Sequence, residues 1–219
     1  MTEVHSLILT MLIPLITFIG IGLTILVQYR IQKKTRHDQA MFYALDQCNK
    51  FVGAVHAYSD AIVQTGIASL GYANGYIDYA NSTQYNLVPE HKEAIEKVLT
   101  TDLSNRAMVL ERNHAIQAQQ AYTYSTLASY LLLLFNSSPH LLAHLLEIAY
   151  GIHELKKYYF ATREKSNLSL SQFPPSSVMS PDEFEKRAEE IRNQKIVGSP
   201  LLNFKKHYSL YFKDYLPNK

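Results

Sequence analysis

An uninterrupted apolar run near the N-terminus, Leu7 to Val27, constrains this chain more than any other feature. It contains no charged residue. A helix rises 1.5 Å per residue, so a run of this length covers roughly 30 Å, the thickness of the hydrocarbon core of a bilayer. The sequence therefore predicts a transmembrane anchor, and the rest of the chain is expected to form a domain tethered to the lipid bilayer.

A cleaved signal peptide is the competing interpretation of this run. Such a peptide has a basic N-terminus, an apolar core of about 7–15 residues and a cleavage site with small residues. The chain begins with MTEVHS, which carries Glu3 and neither lysine nor arginine, and the segment from Val27 to Arg30 has no small-x-small pattern. These features favour an uncleaved anchor in residues 1–29.

Basic residues directly after the run predict its orientation. Four positive charges lie between the run and the first acid after it, Asp38. They are Arg30, Lys33, Lys34 and Arg36. Positive charge close to a span is retained on the cytoplasmic side. We therefore expect a single-pass membrane protein with its N-terminus outside and its C-terminal domain in the cytoplasm.

Composition agrees with this location and excludes some functions. Cys48 is the single cysteine, so the chain has no intrachain disulfide, as is typical of a reducing compartment. The net charge is only +2, from 21 basic and 19 acidic residues, and no specific nucleic-acid binding is predicted. The sequence contains no glycine-rich phosphate-binding motif, and we predict no cofactor.

Helical spacing and proline positions predict an all-α fold. Pro89, Pro139, Pro181 and Pro200 each precede an apolar 3–4 pattern, and proline is favoured in the first turn of a helix. No segment alternates with period two for long enough to indicate a sheet. We expect one transmembrane helix, a cytoplasmic bundle of three to four long helices, and short C-terminal helices.

The segment boundaries follow from composition. Residues 30–164 are expected to form the helical bundle, whose third helix should run from Pro139 to about Thr162. Residues 165–179 are rich in serine and proline and are predicted to be a linker, and residues 180–219 a C-terminal helical segment. Residues 113–146 lack charge, but their apolar part is too short for a second span, so a buried helix is favoured over a second or re-entrant membrane segment.

A heptad seam continues from the anchor into the bundle. Its apolar residues recur at alternating steps of four and three. They are Met41, Leu45, Cys48, Val52 and Val55. Two interpretations remain open: the inward face of a helical bundle, which the pattern favours, and a parallel coiled coil with a second copy.

The predicted span carries its own stripe of small and polar residues. Thr10, Thr17 and Thr24 recur every seven residues, with Gly20 nearby. Small residues on one stripe allow membrane helices to approach closely and to form interhelical hydrogen bonds. The stripe is a candidate association face, although a threonine also bonds back to its own helix.

One group of side chains is a candidate metal site. His140, His144 and Glu147 share one face of the third predicted helix, and imidazole and carboxylate groups are common metal ligands. They are also the polar positions of an amphipathic helix, which alone accounts for them. Glu111 and His114 match only half of a di-iron bundle motif.

Two functions of different class follow. The first is a membrane-anchored helical interaction module, an oligomerising subunit or adaptor of a membrane-associated complex. The second is a membrane-anchored helical enzyme or toxic effector, with dependence on a metal as an open alternative. The anchor, the seam and the missing catalytic motifs favour the first. We therefore expect a homo-oligomer or a membrane protein complex.

Overall fold

The computed structural model describes residues 2–82, 89–171 and 177–216, with backbone alone for residues 2–21 and 89–91. Within these ranges every regular element is a helix and no strand is present, which confirms the all-α prediction. The helices are α1 (Thr2–Ser82), α2 (Pro89–Leu134), α3 (Pro139–Leu170), α4 (Pro181–Arg192) and α5 (Ser199–Tyr211). A short π-helix, Asn193–Val197, continues α4, and a 3₁₀ turn, Lys213–Tyr215, follows α5.

Three helices start where the sequence predicts. Pro89, Pro139 and Pro181 are the first residues of α2, α3 and α4. The Ser180 hydroxyl accepts a hydrogen bond of 3.1 Å from the Glu183 backbone N–H, as expected of an N-cap. Ser138 precedes α3 in the equivalent position, but its side chain makes no capping bond.

The third helix is longer than predicted. It continues past Thr162 to Leu170, so the first residues of the expected linker are helical. Tyr159, Thr162 and Ser166 lie one turn apart and are all buried. The Ser166 hydroxyl donates to the Thr162 carbonyl at 2.9 Å and is thereby satisfied inside the helix. Burial of this row keeps the chain helical despite its serine-rich composition.

Most of the predicted anchor consists of residues for which the structure describes the backbone alone. In the part of the chain whose side chains are described, no helix is long and apolar enough to cross a membrane. Residues 7–21, most of the predicted span, lie outside those side chains, and residues 22–27 continue α1 as exposed helix.

The chain divides into two compact units. The first comprises Met1–Asp46 with Phe212–Lys219. In it, the Tyr215 ring packs edge-on against Phe42, with centroids 5.5 Å apart. The Tyr215 hydroxyl lies 3.2 Å from His37 Nδ1 and donates to Asp38 Oδ1 at 3.3 Å. The C-terminal turn is thus held against the helical part of the same unit.

The second unit, Gln47–Tyr211, is a helical bundle around the C-terminal part of α1. Polar contacts reach α1 from several helices. Arg106 of α2 donates to the Gly71 carbonyl at 2.8 Å, and the Tyr208 hydroxyl of α5 donates to Asn49 at 2.8 Å. From α4, Arg192 donates to the Ser59 hydroxyl at 3.1 Å and pairs with Asp60 at 2.7 Å. These bonds fix which side of α1 each helix covers.

Aromatic side chains fill the bundle interior. The Phe51 ring lies 5.7 Å from Tyr124 of α2 and 5.5 Å from Phe204 of α5. On another side of α1, Phe184 of α4 stacks on Tyr158 of α3 at 5.2 Å. Aromatic pairs at these separations stabilise a core beyond their buried area. Phe51, Phe184 and Phe204 are completely buried.

Candidate functional site

The structure provides little information on the residues that the sequence assigns to the anchor and to its orientation. The side chains of Thr10, Thr17 and Gly20 lie outside the described residues. Thr24 is described and is exposed on α1. The four basic residues of the predicted cytoplasmic flank are also exposed on α1. They are Arg30, Lys33, Lys34 and Arg36. The association face and the topology both stay predictions.

The heptad seam lies on the inward side of α1. Cys48 and Val55 are completely inaccessible, and Leu45 is buried. Met41 and Val52 are half-buried. Because the chain's own side chains already cover Cys48 and Val55, these two offer little surface to a second copy. Their burial favours the intrachain interpretation of the seam over a coiled coil.

Cys48 has no chemical activation. Burial raises the pKa of its thiol to about 12, so the reactive thiolate is scarce near neutral pH. It behaves as a small apolar side chain of the core.

The candidate metal ligands are brought close to a residue that the sequence did not link to them. His144 Nδ1 donates to Glu147 Oε2 at 3.0 Å. The His207 ring of α5 lies 4.7 Å from the His144 ring and 6.1 Å from the His140 ring. His207 Nδ1 donates to the Asn203 carbonyl at 2.9 Å, which satisfies that nitrogen within α5.

These contacts do not assemble a coordination shell. Within the part of the chain that the structure describes, no three histidine, cysteine or acidic side chains are placed to hold one metal ion. Metal binding by His140, His144 and Glu147 stays a prediction. Stoichiometric metal in the purified protein would support it. The approach of His207 has no local sequence signal, since α3 and α5 are joined only by tertiary packing.

The outer side of α2 corrects the expectation of a buried helix over residues 113–146, because a row of uncharged side chains is exposed there. Six exposed residues follow one another at steps of four and three, the spacing of a heptad seam, and none of them is charged. We call them the α2 stripe: Ala115, Gln119, Tyr122, Thr126, Ser129 and Leu133. Tyr122 is 73% exposed and Leu133 is 76% exposed. A solvated helix face of this length normally carries charge.

Hydrogen bonds make the α2 stripe less polar than its composition indicates. The Thr126 hydroxyl donates to the Tyr122 carbonyl at 2.9 Å, inside the same helix. Next to the stripe, Thr123 and Ser125 also donate to carbonyls of α2, those of Gln119 and Tyr122. Hydroxyls satisfied in this way present their carbon atoms to the outside. These three hydroxyls therefore need no hydrogen-bond partner from a docked surface.

An open groove of about 480 Å³ runs beside the α2 stripe, between α2 and α1. Its α1 wall is made largely of small residues, Gly53, Ala54 and Ala57. Tyr122 and Thr126 of the stripe line its α2 wall. Small residues at such a position let a further helix approach closely. The stripe and the groove form one continuous uncharged surface, apart from Lys50 in the groove's α1 wall.

Comparisons with known proteins do not identify a family or a function for this chain. The chain matches no protein-family model, no curated protein and no solved structure. Its function has to be argued from its own residues.

Proposed function

We propose that this chain is a membrane-anchored helical interaction module, an oligomerising subunit or adaptor of a membrane-associated complex. The observation that carries the proposal is the uncharged, exposed α2 stripe. The centres of protein interfaces are depleted of charged residues and enriched in tyrosine and methionine. Tyr122 in the middle of the stripe fits that composition.

A second copy of the same chain is the partner that the α2 stripe fits best. Its heptad spacing matches a like helix packed along it, and the lack of charge means that two identical stripes do not repel. The anchors of such a dimer are Tyr122 and Leu133, and the small side chains of Ala115 and Ser129 leave room around them. Other subunits with an uncharged helix are the alternative occupants.

The anchor of the module is the apolar run from Leu7 to Val27. Its length suits a bilayer, and the positive charges after it favour a cytoplasmic position of the bundle. Thr10, Thr17, Gly20 and Thr24 are the proposed association face inside the membrane. Anchoring holds the bundles of neighbouring copies at high local concentration, so a modest contact between two stripes suffices for association.

The membrane part is tested by reporter fusions after Lys219. We expect a cytoplasmic signal and a protein that stays in the membrane pellet after alkaline washing, with its N-terminal residues intact. A mature N-terminus near Tyr29, or a reporter active only outside, contradicts the proposed topology.

The interface is tested with the full chain in mild detergent, by native mass spectrometry or sedimentation. Tyr122→Glu combined with Leu133→Glu should raise the dissociation constant of the oligomer at least about tenfold, because a charge is placed in each half of a desolvated contact. The matched control is Leu202→Glu on α5, whose side chain is 65% exposed and lies off the stripe. It should leave association unchanged.

The same measurement separates the two proposed contact regions. Thr17→Leu combined with Thr24→Leu removes the polar contacts of the membrane stripe and leaves α2 intact. Oligomers weakened only by the threonine changes place the interface in the anchor. A strictly monomeric wild-type chain contradicts self-association altogether.

A further inference from the structure

A small pocket of about 270 Å³ lies where α1, α2 and α3 meet. Its cationic or protonatable residues are His114 from α2 with Lys156 and Arg163 from α3. Its walls also include the rings of Tyr58 and Tyr159. None of the described residues that line it is acidic. Its size is slightly below the usual range of about 300–1,000 Å³ for ligand sites, which suits a small ligand.

The positive charges of this pocket have no acidic partner in the described part of the chain. Among the described residues, neither Lys156 nor Arg163 forms an ion pair with a carboxylate. In contrast, Arg106, Arg187 and Arg192 elsewhere in the bundle each pair with an acid. Two unpaired cations on one wall of a cavity create a local positive potential, which attracts anions.

A buried donor in the same pocket also has no partner. Tyr159 is 2% exposed, and its hydroxyl makes no hydrogen bond with any described residue. Arg163, whose charge acts on this phenol, can only donate to its oxygen, so even a hydrogen bond between the two leaves the phenol O–H without an acceptor. A buried hydroxyl left unsatisfied costs free energy, so a ligand that brings an acceptor to Tyr159 would be favoured here.

The protonation of His114 is consistent with an uncompensated positive site. Its pKa is lowered first by burial and then by the positive charge of Arg163. Among the described residues, no carboxylate raises it again. Lys156 and Arg163 therefore supply positive charge and Tyr159 a hydrogen-bond donor, a combination that suits an anion.

We infer that this pocket binds a phosphomonoester. The phosphate group carries nearly two negative charges at neutral pH, which balance Lys156 and Arg163, and its three oxygens accept hydrogen bonds from several donors. The rings of Tyr58, Tyr159 and Phe160 surround the pocket with apolar surface for the organic part of the ligand. A carboxylate, with one charge, leaves one of the two cations uncompensated.

The test is calorimetric titration of the full chain in mild detergent with phenyl phosphate. We expect one site per chain, and benzoate, the matched monoanion, should bind at least about tenfold more weakly. Lys156→Gln combined with Arg163→Gln should weaken phenyl phosphate binding about tenfold or more. The control Lys157→Gln removes the neighbouring exposed charge, which does not line the pocket, and should leave binding unchanged.

Proton linkage provides an independent readout. A bound dianion offsets the charge of Arg163, so His114 should take up a proton on binding near pH 7. Titrations in buffers of different ionisation enthalpy measure this uptake. The difference between wild type and His114→Gln isolates the histidine, because the titration of the phosphate itself is common to both.

The source of the phosphate is distinguished with vesicles containing phosphatidic acid. Binding of free phenyl phosphate supports a soluble ligand, and binding only of phosphatidic acid in vesicles supports a lipid headgroup. Absence of both overturns the inference, as does binding that the Lys156 and Arg163 substitutions do not weaken. Equal affinity for benzoate overturns the assignment of a dianion.

Discussion

The two longest helices of the bundle, α1 and α2, bury their side chains to very different extents. Between Gln47 and Ile77, α1 has inaccessible residues on several sides, among them Phe51, Val55 and Ile62. Among the α2 side chains that the structure describes, only Leu131 is fully buried. The helix α1 is covered by α2, α4 and α5, whereas α2 keeps a whole side open. Apolar periodicity shows that a helix has an inward face, but the number of neighbouring helices depends on the tertiary fold.

The largest expected effect on stability contrasts the buried Phe51 side chain of α1 with the exposed Tyr122 side chain of α2. Phe51→Ala should lower the free energy of unfolding by about 3–5 kcal/mol, because it leaves a cavity between Tyr124 and Phe204. In the monomer, at a chain concentration below the dissociation constant of the proposed oligomer, Tyr122→Ala should change it by less than about 0.5 kcal/mol, since the side chain is 73% exposed there. Denaturant unfolding of the chain in detergent measures both. Similar losses for the two substitutions would abolish the contrast between the helices.

The next effect is a difference in stability between glycine substitutions on two sides of α1. A Cβ atom at Gly66 would collide with the Phe184 ring, so Gly66→Ala should destabilise the bundle by about 1–3 kcal/mol. A Cβ at Gly53 meets nothing within 4 Å, and Gly53→Ala should stabilise the helix by about 0.5–1 kcal/mol. Thermal unfolding of the two variants checks the sign of each change. A stabilising Gly66→Ala would mean that α4 does not pack closely against α1.

A pH effect compares a histidine on each helix. The pKa of His56 on α1 is lowered first by burial, then by Lys205 and Arg192, with Asp60 partly offsetting them. The pKa of His114 on α2 is lowered by burial and Arg163. Both therefore bind protons more weakly in the folded state than in the unfolded chain, which takes up protons near pH 6.5. Stability from these groups is therefore complete above about pH 6.5 and decreases as the pH falls below it.

The melting temperature should accordingly fall on acidification from about pH 7 to about pH 5.5. The double variant His56→Gln with His114→Gln should show a smaller fall, and each single variant shows how the effect divides between the helices. His153, exposed on α3, provides the control substitution. An unchanged pH dependence in the double variant would contradict the desolvation of both histidines.

The smallest expected effect concerns exposed apolar residues of α2. Met108→Gln and Val109→Thr should each change the free energy of unfolding by no more than about 0.5 kcal/mol, because both side chains are more than half exposed. Chemical denaturation measures it. A loss above about 1 kcal/mol would show that this side of α2 is already covered in the assembled protein.

The sequence predicts the helices well because their start signals are local. Pro89, Pro139 and Pro181 act within one turn, and Ser180 caps the helix that follows it. The end of α3 is different, since Leu170 is reached through burial of Ser166, which depends on packing. Serine-rich composition alone predicts a linker there.

The candidate sites depend on contacts between distant residues and were only partly predictable. His140 and His144 are one turn apart and easily recognised, but the neighbouring His207 comes from α5. The same holds for the pocket in which His114 meets Lys156 and Arg163. The α2 stripe was hidden for another reason: its heptad spacing is present in the sequence, but only the fold shows that it faces outward.

The burial of Cys48 gives the bundle a chemical reporter of its own opening. Cys48 is the only thiol in the chain, and burial raises its pKa to about 12. A thiol-selective alkylating reagent added to the folded protein therefore has a single target, which it cannot reach. Alkylation then proceeds only through fluctuations that expose α1 at this position. Its rate counts these openings in the natural sequence, without an introduced label, and any ligand or partner that restrains α1 would slow it.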